Sequence, residues 1–234
     1  MKNKILEVLN ISKSYSKTEI LKDLNFTLFK NEITTISGLN GQGKTTILKI
    51  ISTITQVEKG QILYNQQKLI RNNFITFIPE LPYFAEEFTS KEAVQYFLSL
   101  ENKKLDMEKF NYYSKILNLV ENKKIIKNFS KGTRQKLGVI MSALSSAELV
   151  LLDEPYSGLD ISGQYELKQI ITEMKKNGKT ILLTSHNLEF SYDVSDRILV
   201  LNHGEIKKDF YIKDLSDFNE FKKILEKEFL NIND

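Results

Sequence analysis

Three stretches of this chain carry residue types that could handle a chain of phosphates. The first is Gly38-Leu39-Asn40-Gly41-Gln42-Gly43-Lys44-Thr45, which fits G-x-x-x-x-G-K-[ST] at every fixed position. Gly38, Gly41 and Gly43 let the backbone turn tightly and aim N–H groups inward, and the helix start that follows adds partial positive charge. Lys44 would reach the β- and γ-phosphates, and the Thr45 hydroxyl would ligate Mg2+. The second stretch is Asp153-Glu154, directly after the apolar run Leu149-Val150-Leu151-Leu152. An aspartate at a strand end suits Mg2+, and a glutamate one step beyond could orient or deprotonate a water aimed at the γ-phosphate. The third is Thr184-Ser185-His186, where the imidazole could donate to the γ-phosphate and hold the water in register. The other histidine, His203, falls in a turn and reads as structural.

The elements that must position these groups follow from pattern. Ile33 to Ser37 is β-branched and apolar, so a strand enters the glycine loop, and Ile47, Leu48, Ile50 and Ile51 recur at helical spacing after it. Ile5 to Ile11 and Phe26 to Phe29 read as strands around a polar loop, Ser12 to Glu19. Tyr15 in that loop could stack on a base or be a half-buried loop aromatic. Gly60 to Leu69 reads as a hairpin turning at Asn65-Gln66, and Phe74 to Ile78 as a strand ended by Pro79. From Pro82 to Asn128 the composition turns helical, with Val94, Phe97, Leu98 and then Tyr113, Ile116, Leu117 and Val120 at helical spacing. Lys103-Lys104 and Lys123-Lys124 read as solvated surface. Gln135 to Ala147 and Glu166 to Lys176 read as helices, the latter ending at Asn177-Gly178. Thr180 to Thr184 and Arg197 to Leu201 read as buried strands, and Asn202-His203-Gly204 as a turn into Glu205 to Lys208. Phe218, Phe221, Leu225 and Phe229 mark an amphipathic tail helix.

The fold class expected is α/β: a phosphate-loop core with a mainly parallel sheet, an N-terminal antiparallel β part and an inserted helical subdomain. One domain spans 1–234, with the core at about 1–81 and 135–210, the helical subdomain at about 82–134 and the tail helix at about 214–231. Ser130 is a plausible N-cap and Gly132 lets a ligand approach the backbone. Residue chemistry alone leaves two readings of that stretch, a second anion-binding helix start or a capped helix and nothing more.

Composition narrows the function classes. With no cysteine among 234 residues, disulfides, thiolate metal sites and cysteine nucleophiles are excluded, and two histidines cannot make a histidine-rich centre. A net charge of +3 argues for neither nucleic acid nor an anionic membrane surface. Apolar runs stop at about four residues where a membrane helix needs roughly 20. The start, charged at Lys2, Lys4 and Glu7, lacks a signal-peptide core, so a cytoplasmic protein is expected.

Together these residues resemble the ATP-binding-cassette ATPases, from Tyr15 to Gly204. Gly38 to Thr45 is similar to Walker A, and Leu149 to Glu154 to Walker B with its glutamate. Ser130 to Gln135 looks like the signature motif, Ser157-Gly158-Leu159-Asp160 the D-loop, and His186 the switch histidine. The resemblance implies that Tyr15, Gly38, Asn40, Gly41, Gly43, Lys44, Thr45 and Thr46 hold ATP, with Ser130 and Gly132 supplied by a second copy. It implies Mg2+ on Thr45, Asp153 and Glu80, and hydrolysis by Glu154, His186 and Lys44. It further implies integral membrane permease subunits and a second cassette ATPase, in a homo- or heterodimer, at the inner face of the cell membrane.

Two stretches depart from the family pattern, the signature, where glutamine is usual near Thr133, and the segment holding Glu80. Lys131 stands where the signature has glycine, a form similar to the exporter-type (ABC-2) subfamily, and Glu80 stands where glutamine is usual. Glutamate can still ligate Mg2+ and line the groove that receives the membrane subunit. Other readings of the sequence are a soluble cassette ATPase in translation or cofactor assembly, a GTPase or small-molecule kinase, and a catalytically dead cassette. No Asn-Lys-x-Asp motif supports the GTPase, and the span from Thr45 to Ser130 holds no sustained heptads of a DNA-repair insertion.

Overall fold

The computed structural model describes residues 2–69, 74–119 and 124–230; Val120 and Lys123 of the sequence reading lie outside them. The chain opens on a long antiparallel hairpin, β1 (Lys4–Tyr15) and β2 (Thr18–Phe29). The polar loop expected over Ser12 to Glu19 is strand instead, with Ser14 opposite Glu19 and Tyr15 opposite Thr18. One face of this pair meets solvent, so polar residues do not end it. Glu58 also secures the tip, accepting from Ser14 N at 3.1 Å and pairing with Lys13 at 3.2 Å.

β3 (Ile33–Ser37) leads into the glycine loop and α1 (Lys44–Ile51). β4 (Lys59–Tyr64) and β5 (Gln67–Lys68) form the expected hairpin, and β6 (Ile75–Ile78) follows. The helical stretch resolves into α2 (Ser90–Leu100), opened by a Thr89–Glu92 capping box, and α3 (Met107–Ile116), capped by Asp106. α4 (Lys131–Leu144) starts at its Ser130 cap, earlier than its apolar repeat indicates. β7 (Leu149–Asp153) comes next. α5 (Ile161–Lys176) also starts early, because Asp160 accepts from Gly163 N at 2.8 Å and caps a polar first turn. After β8 (Thr180–Ser185), the sequence reading missed a short helix, α6 (Leu188–Val194), capped by Asn187. β9 (Arg197–Asn202), β10 (Glu205–Tyr211) and α7 (Phe218–Leu230) complete the chain.

Two sheets result. One is antiparallel, in the order β2-β1-β4-β5; the other runs β10-β9-β3-β8-β7-β6, parallel except for β10. Side-chain alternation lets the second sheet carry a core on each face. Leu149 and Leu151 pack with Ile36, Leu182 and α1 under the antiparallel sheet, while Val150 and Leu152 pack with Ile181, Leu183 and helices α2 to α5. On β9, Ile198 and Val200 are covered by Phe221 and Leu225 of α7.

Register decides function here. Ser37 pairs with Ser185, Asp153 with Thr184, and Ile78 with Leu152, so four strands end together at one sheet edge. That edge is where open α/β sheets bind ligands. The tail helix completes the core beside it. Phe221→Ala is expected to cost about 3–5 kcal/mol, the usual toll of a deleted buried aromatic, read by urea denaturation.

Candidate functional site

At that edge a cavity of about 270 Å³ is lined by Tyr15, Asn40, Gly41, Gly43, Lys44, Thr45, Thr46, Glu80 and Glu154 among others. The structure thus brings together most residues read from sequence as nucleotide-binding. Gly43 takes a φ of 102° as the N-cap of α1, and a β-carbon there would stand 2.7 Å from Leu21 Cδ2 on β2. Only glycine fits so close to the hairpin that carries Tyr15. α1 has no side-chain cap and no acidic residue in its first turn, so its leading amides are available to an anion. Gln42 is held by His203, whose backbone N–H donates to Gln42 Oε1 at 2.6 Å.

Behind the loop lies a compact set of charges. The Lys44 ammonium, 6% exposed, donates to Gly38 O at 2.7 Å and Leu39 O at 3.2 Å, and stands 3.3 Å from Glu154 Oε1. Thr45 Oγ1 donates to Asp153 Oδ2 at 2.8 Å, and Thr184 Oγ1 donates to Asp153 Oδ1 at 2.6 Å. Asp153 is 2% exposed, and burial pushes its carboxyl above the ordinary range although both threonine hydroxyls pull the other way. Glu154 sits in the left-handed region at a φ of 45°, its N–H donating to Thr184 Oγ1 at 3.0 Å. His186 Nδ1 is 3.1 Å from Glu154 Oε2. Thr184 therefore holds the Asp153 carboxylate and the backbone of Glu154, a part that sequence reading did not assign to it.

Thr45 lines the cavity, and its Oγ1 lies 2.8 Å from Oδ2 of the buried Asp153 behind it; no cluster of three histidines or carboxylates occurs among the described residues. That donor set fits a hard cation that keeps waters and phosphate oxygens as its remaining ligands, as Mg2+ does.

Ser130 and Gly132 do not line this cavity. Ser130 Oγ accepts from Thr133 N at 3.1 Å and caps α4. The neighbour that presses on Gly132 is protein: a β-carbon there would meet Gly158 O at 2.5 Å. Between them, Lys131 crosses to the cavity edge. Its ammonium donates to Glu80 Oε1 and to Ser157 Oγ, both at 2.8 Å, and Ser157 donates to the same Glu80 oxygen at 3.0 Å. The Lys131 hydrogen bond holds the Glu80 carboxyl below the ordinary range. Lys131 and Glu80, both departures from the cassette pattern, are thus partners.

The profile of the ABC transporter family matches residues 21–157. The chain belongs to that family. An uncharacterized ABC transporter ATP-binding protein of Methanocaldococcus jannaschii is 32% identical over 88% of this chain and 76% of its own length. A lantibiotic transport ATP-binding protein of Streptococcus pyogenes is 30% identical, covering 86% of this chain and 89% of itself. A solved ATP-binding subunit of an ABC transporter superposes with a TM-score of 0.83 at 26% identity, over 95% of this chain and 100% of that one. This cassette is accordingly an ATP-binding and ATP-hydrolysing subunit of a transporter, and the soluble and GTPase readings fall away. Among the described residues no helix is long and apolar enough to cross a membrane.

An ionised carboxylate is disfavoured at Asp153, so Asp153→Asn should relieve that cost at pH 7. The expected result is a Tm higher by about 2–4 °C, worth about 1 kcal/mol in a chain of this size, with ATP hydrolysis reduced to background. Thermal melts and phosphate release measured on the same preparation check both.

Proposed function

We propose that this cassette drives export, bound at the inner face of the cell membrane to separate permease subunits and closing head to tail with a second cassette around ATP. The observation that carries this reading is the separation of the uncapped α1 start from the signature-like start of α4. The α1 start opens into the cavity beside Lys44, whereas the Ser130–Gly132 start of α4 lies outside it. A single copy cannot bring both to one nucleotide, and a head-to-tail pair can. The Lys131-Gly132 form of the signature favours export. Relatives include both a lantibiotic transport protein and, at 27% identity, a xylose/arabinose import ATP-binding protein of Sulfolobus acidocaldarius, so direction rests on that signature.

Within the site each residue has a part. Tyr15, 46% exposed at the hairpin tip, stacks on the adenine, and the amides of Asn40 to Thr46 hold the phosphates. Lys44 exchanges its loop carbonyls for phosphate oxygens, and Glu154 takes a proton from the attacking water that His186 helps to align. Thr45 and Asp153 hold Mg2+, which when bound neutralises phosphate charge. Glu80 would join them through the oxygen that Lys131 leaves free or by releasing that contact, which is about half open to solvent and so inexpensive to break. Exposed Leu81 and Tyr83, just past Glu80, offer apolar area to a membrane subunit.

Glu154→Gln tests the pairing, because it keeps the side chain's size and removes its basicity. With ATP and Mg2+ the variant is expected to elute as a stable dimer and the wild type as a monomer. A variant that binds ATP yet sediments as a monomer at high concentration counts against the head-to-tail reading. Affinity capture of the tagged chain from detergent-solubilised membranes is expected to recover a polytopic partner in stoichiometric amount, and recovery with ribosomes or with nothing would oppose it.

A further inference from the structure

Tyr156 has no part in the site as read from sequence, yet it touches both groups that face the attacking water. Its ring is buried, 5.0 Å from the Phe190 ring and 5.7 Å from that of His186, centroid to centroid. The phenol donates to Glu154 Oε2 at 2.5 Å and accepts from the backbone N–H groups of His186 and Asn187, each at 3.1 Å. It also lies 3.0 Å from His186 Nδ1. A tyrosine hydroxyl has one proton to give. With that proton on Glu154, His186 Nδ1 must carry its own to bond either the phenol or the carboxylate, which fixes the imidazole's orientation.

Geometry makes this bridge necessary. The ladder between β7 and β8 ends at Asp153 and Thr184, so beyond it no strand pairing holds Glu154 to His186. Tyr156 reaches from the turn after β7 to the turn after β8 and continues the connection. It engages only one carboxylate oxygen. The other, Glu154 Oε1, is buried, makes no hydrogen bond within the described residues, and faces Lys44 Nζ at 3.3 Å. A phenylalanine would fill the same space, so packing alone does not account for a hydroxyl buried among four polar partners.

We infer that Tyr156 is a positioning residue for ATP hydrolysis, holding Glu154 by Oε2 and His186 by Nδ1 so that Glu154 Oε1 is presented to the water. This rests on the proposed roles of Glu154 and His186. The oxygen that accepts from Tyr156 is committed to the phenol, and the carboxylate is held in one orientation with Oε1 toward Lys44.

Tyr156→Phe in the full-length chain tests it. The single-turnover rate of ATP hydrolysis is expected to fall about tenfold or more while the KM for ATP stays within about twofold, the split expected when alignment rather than binding is lost. In a Glu154→Gln background the same change is expected to cost nothing further, since groups acting as a unit are not additive. An equal loss in both backgrounds would make Tyr156 a packing residue and overturn the inference. A second readout needs no turnover. The chain has two histidines, so long-range 1H–15N spectra report each separately. Tyr156→Phe should move the ring-nitrogen signals of His186 and leave those of His203 in place; unmoved His186 signals overturn the inference. If Glu154→Gln hydrolyses ATP at the wild-type rate, the site reading itself fails. If that variant is inactive and Tyr156→Phe is fully active, only the role of Tyr156 fails.

Discussion

The hydrogen bond from Thr45 Oγ1 to Asp153, 2.8 Å long, joins the first turn of α1, which follows β3, to the end of β7, and those two strands are not neighbours. β8 lies between them, and its Thr184 binds the other oxygen of the same carboxylate at 2.6 Å. The phosphate loop after β3 and the acidic pair after β7 are therefore held to a common reference through a third strand. This works only because three parallel strands stop at the same height, and that height is fixed by an unbroken ladder from Ile33–Ile181 to Ser37–Ser185. A slip of one residue would turn each end side chain to the opposite face and separate the loop from its partner carboxylate.

Such an arrangement concentrates charge where water is scarce. Lys44, Asp153 and Glu154 are all under a tenth exposed. Buried charges cost several kcal/mol each unless partnered, and replacement by apolar residues often stabilises. The partners here are incomplete: Glu154 Oε1 has an ion pair with Lys44 but no hydrogen bond, and Asp153 remains hard to ionise. The surrounding core carries that cost. Fully buried leucines and isoleucines on both faces of the central sheet hold the strand ends against the repulsion of two adjacent carboxylates. Stability and function pull in opposite directions at this edge, as they do wherever a site is held ready for a charged ligand.

Much of this was legible in the sequence because the legible parts are local. A glycine loop has fixed spacing, a strand buried on both faces has an unbroken apolar run, and capped helices announce their starts. The first hairpin was misread where polar residues occupy a solvent-facing strand, since alternation weakens and the loop reading becomes equally natural. At Gly132 the sequence suggests room for a ligand, whereas within this chain the close neighbour is the Gly158 carbonyl. Tyr156 gave no signal at all. It follows a proline in an irregular turn, and apart from Glu154 its partners lie some thirty residues on, in the turn after another strand.

The pairing of Lys131 with Glu80 shows why single departures from a family pattern mislead. Taken alone, Glu80 adds a negative charge beside the phosphate site, and Lys131 sets a cation at a helix N-terminus, where the macrodipole opposes it. Each by itself is unfavourable. Together they cancel, and the same contact draws in Ser157, so the start of α4, the end of β6 and the turn after β7 meet at one point. The pair is too exposed to add much stability. Its effect is on placement: it ties the segment leading into the helical lobe to the start of α4. The two unusual residues are then one substitution in physical terms, and a change at either position acts on both.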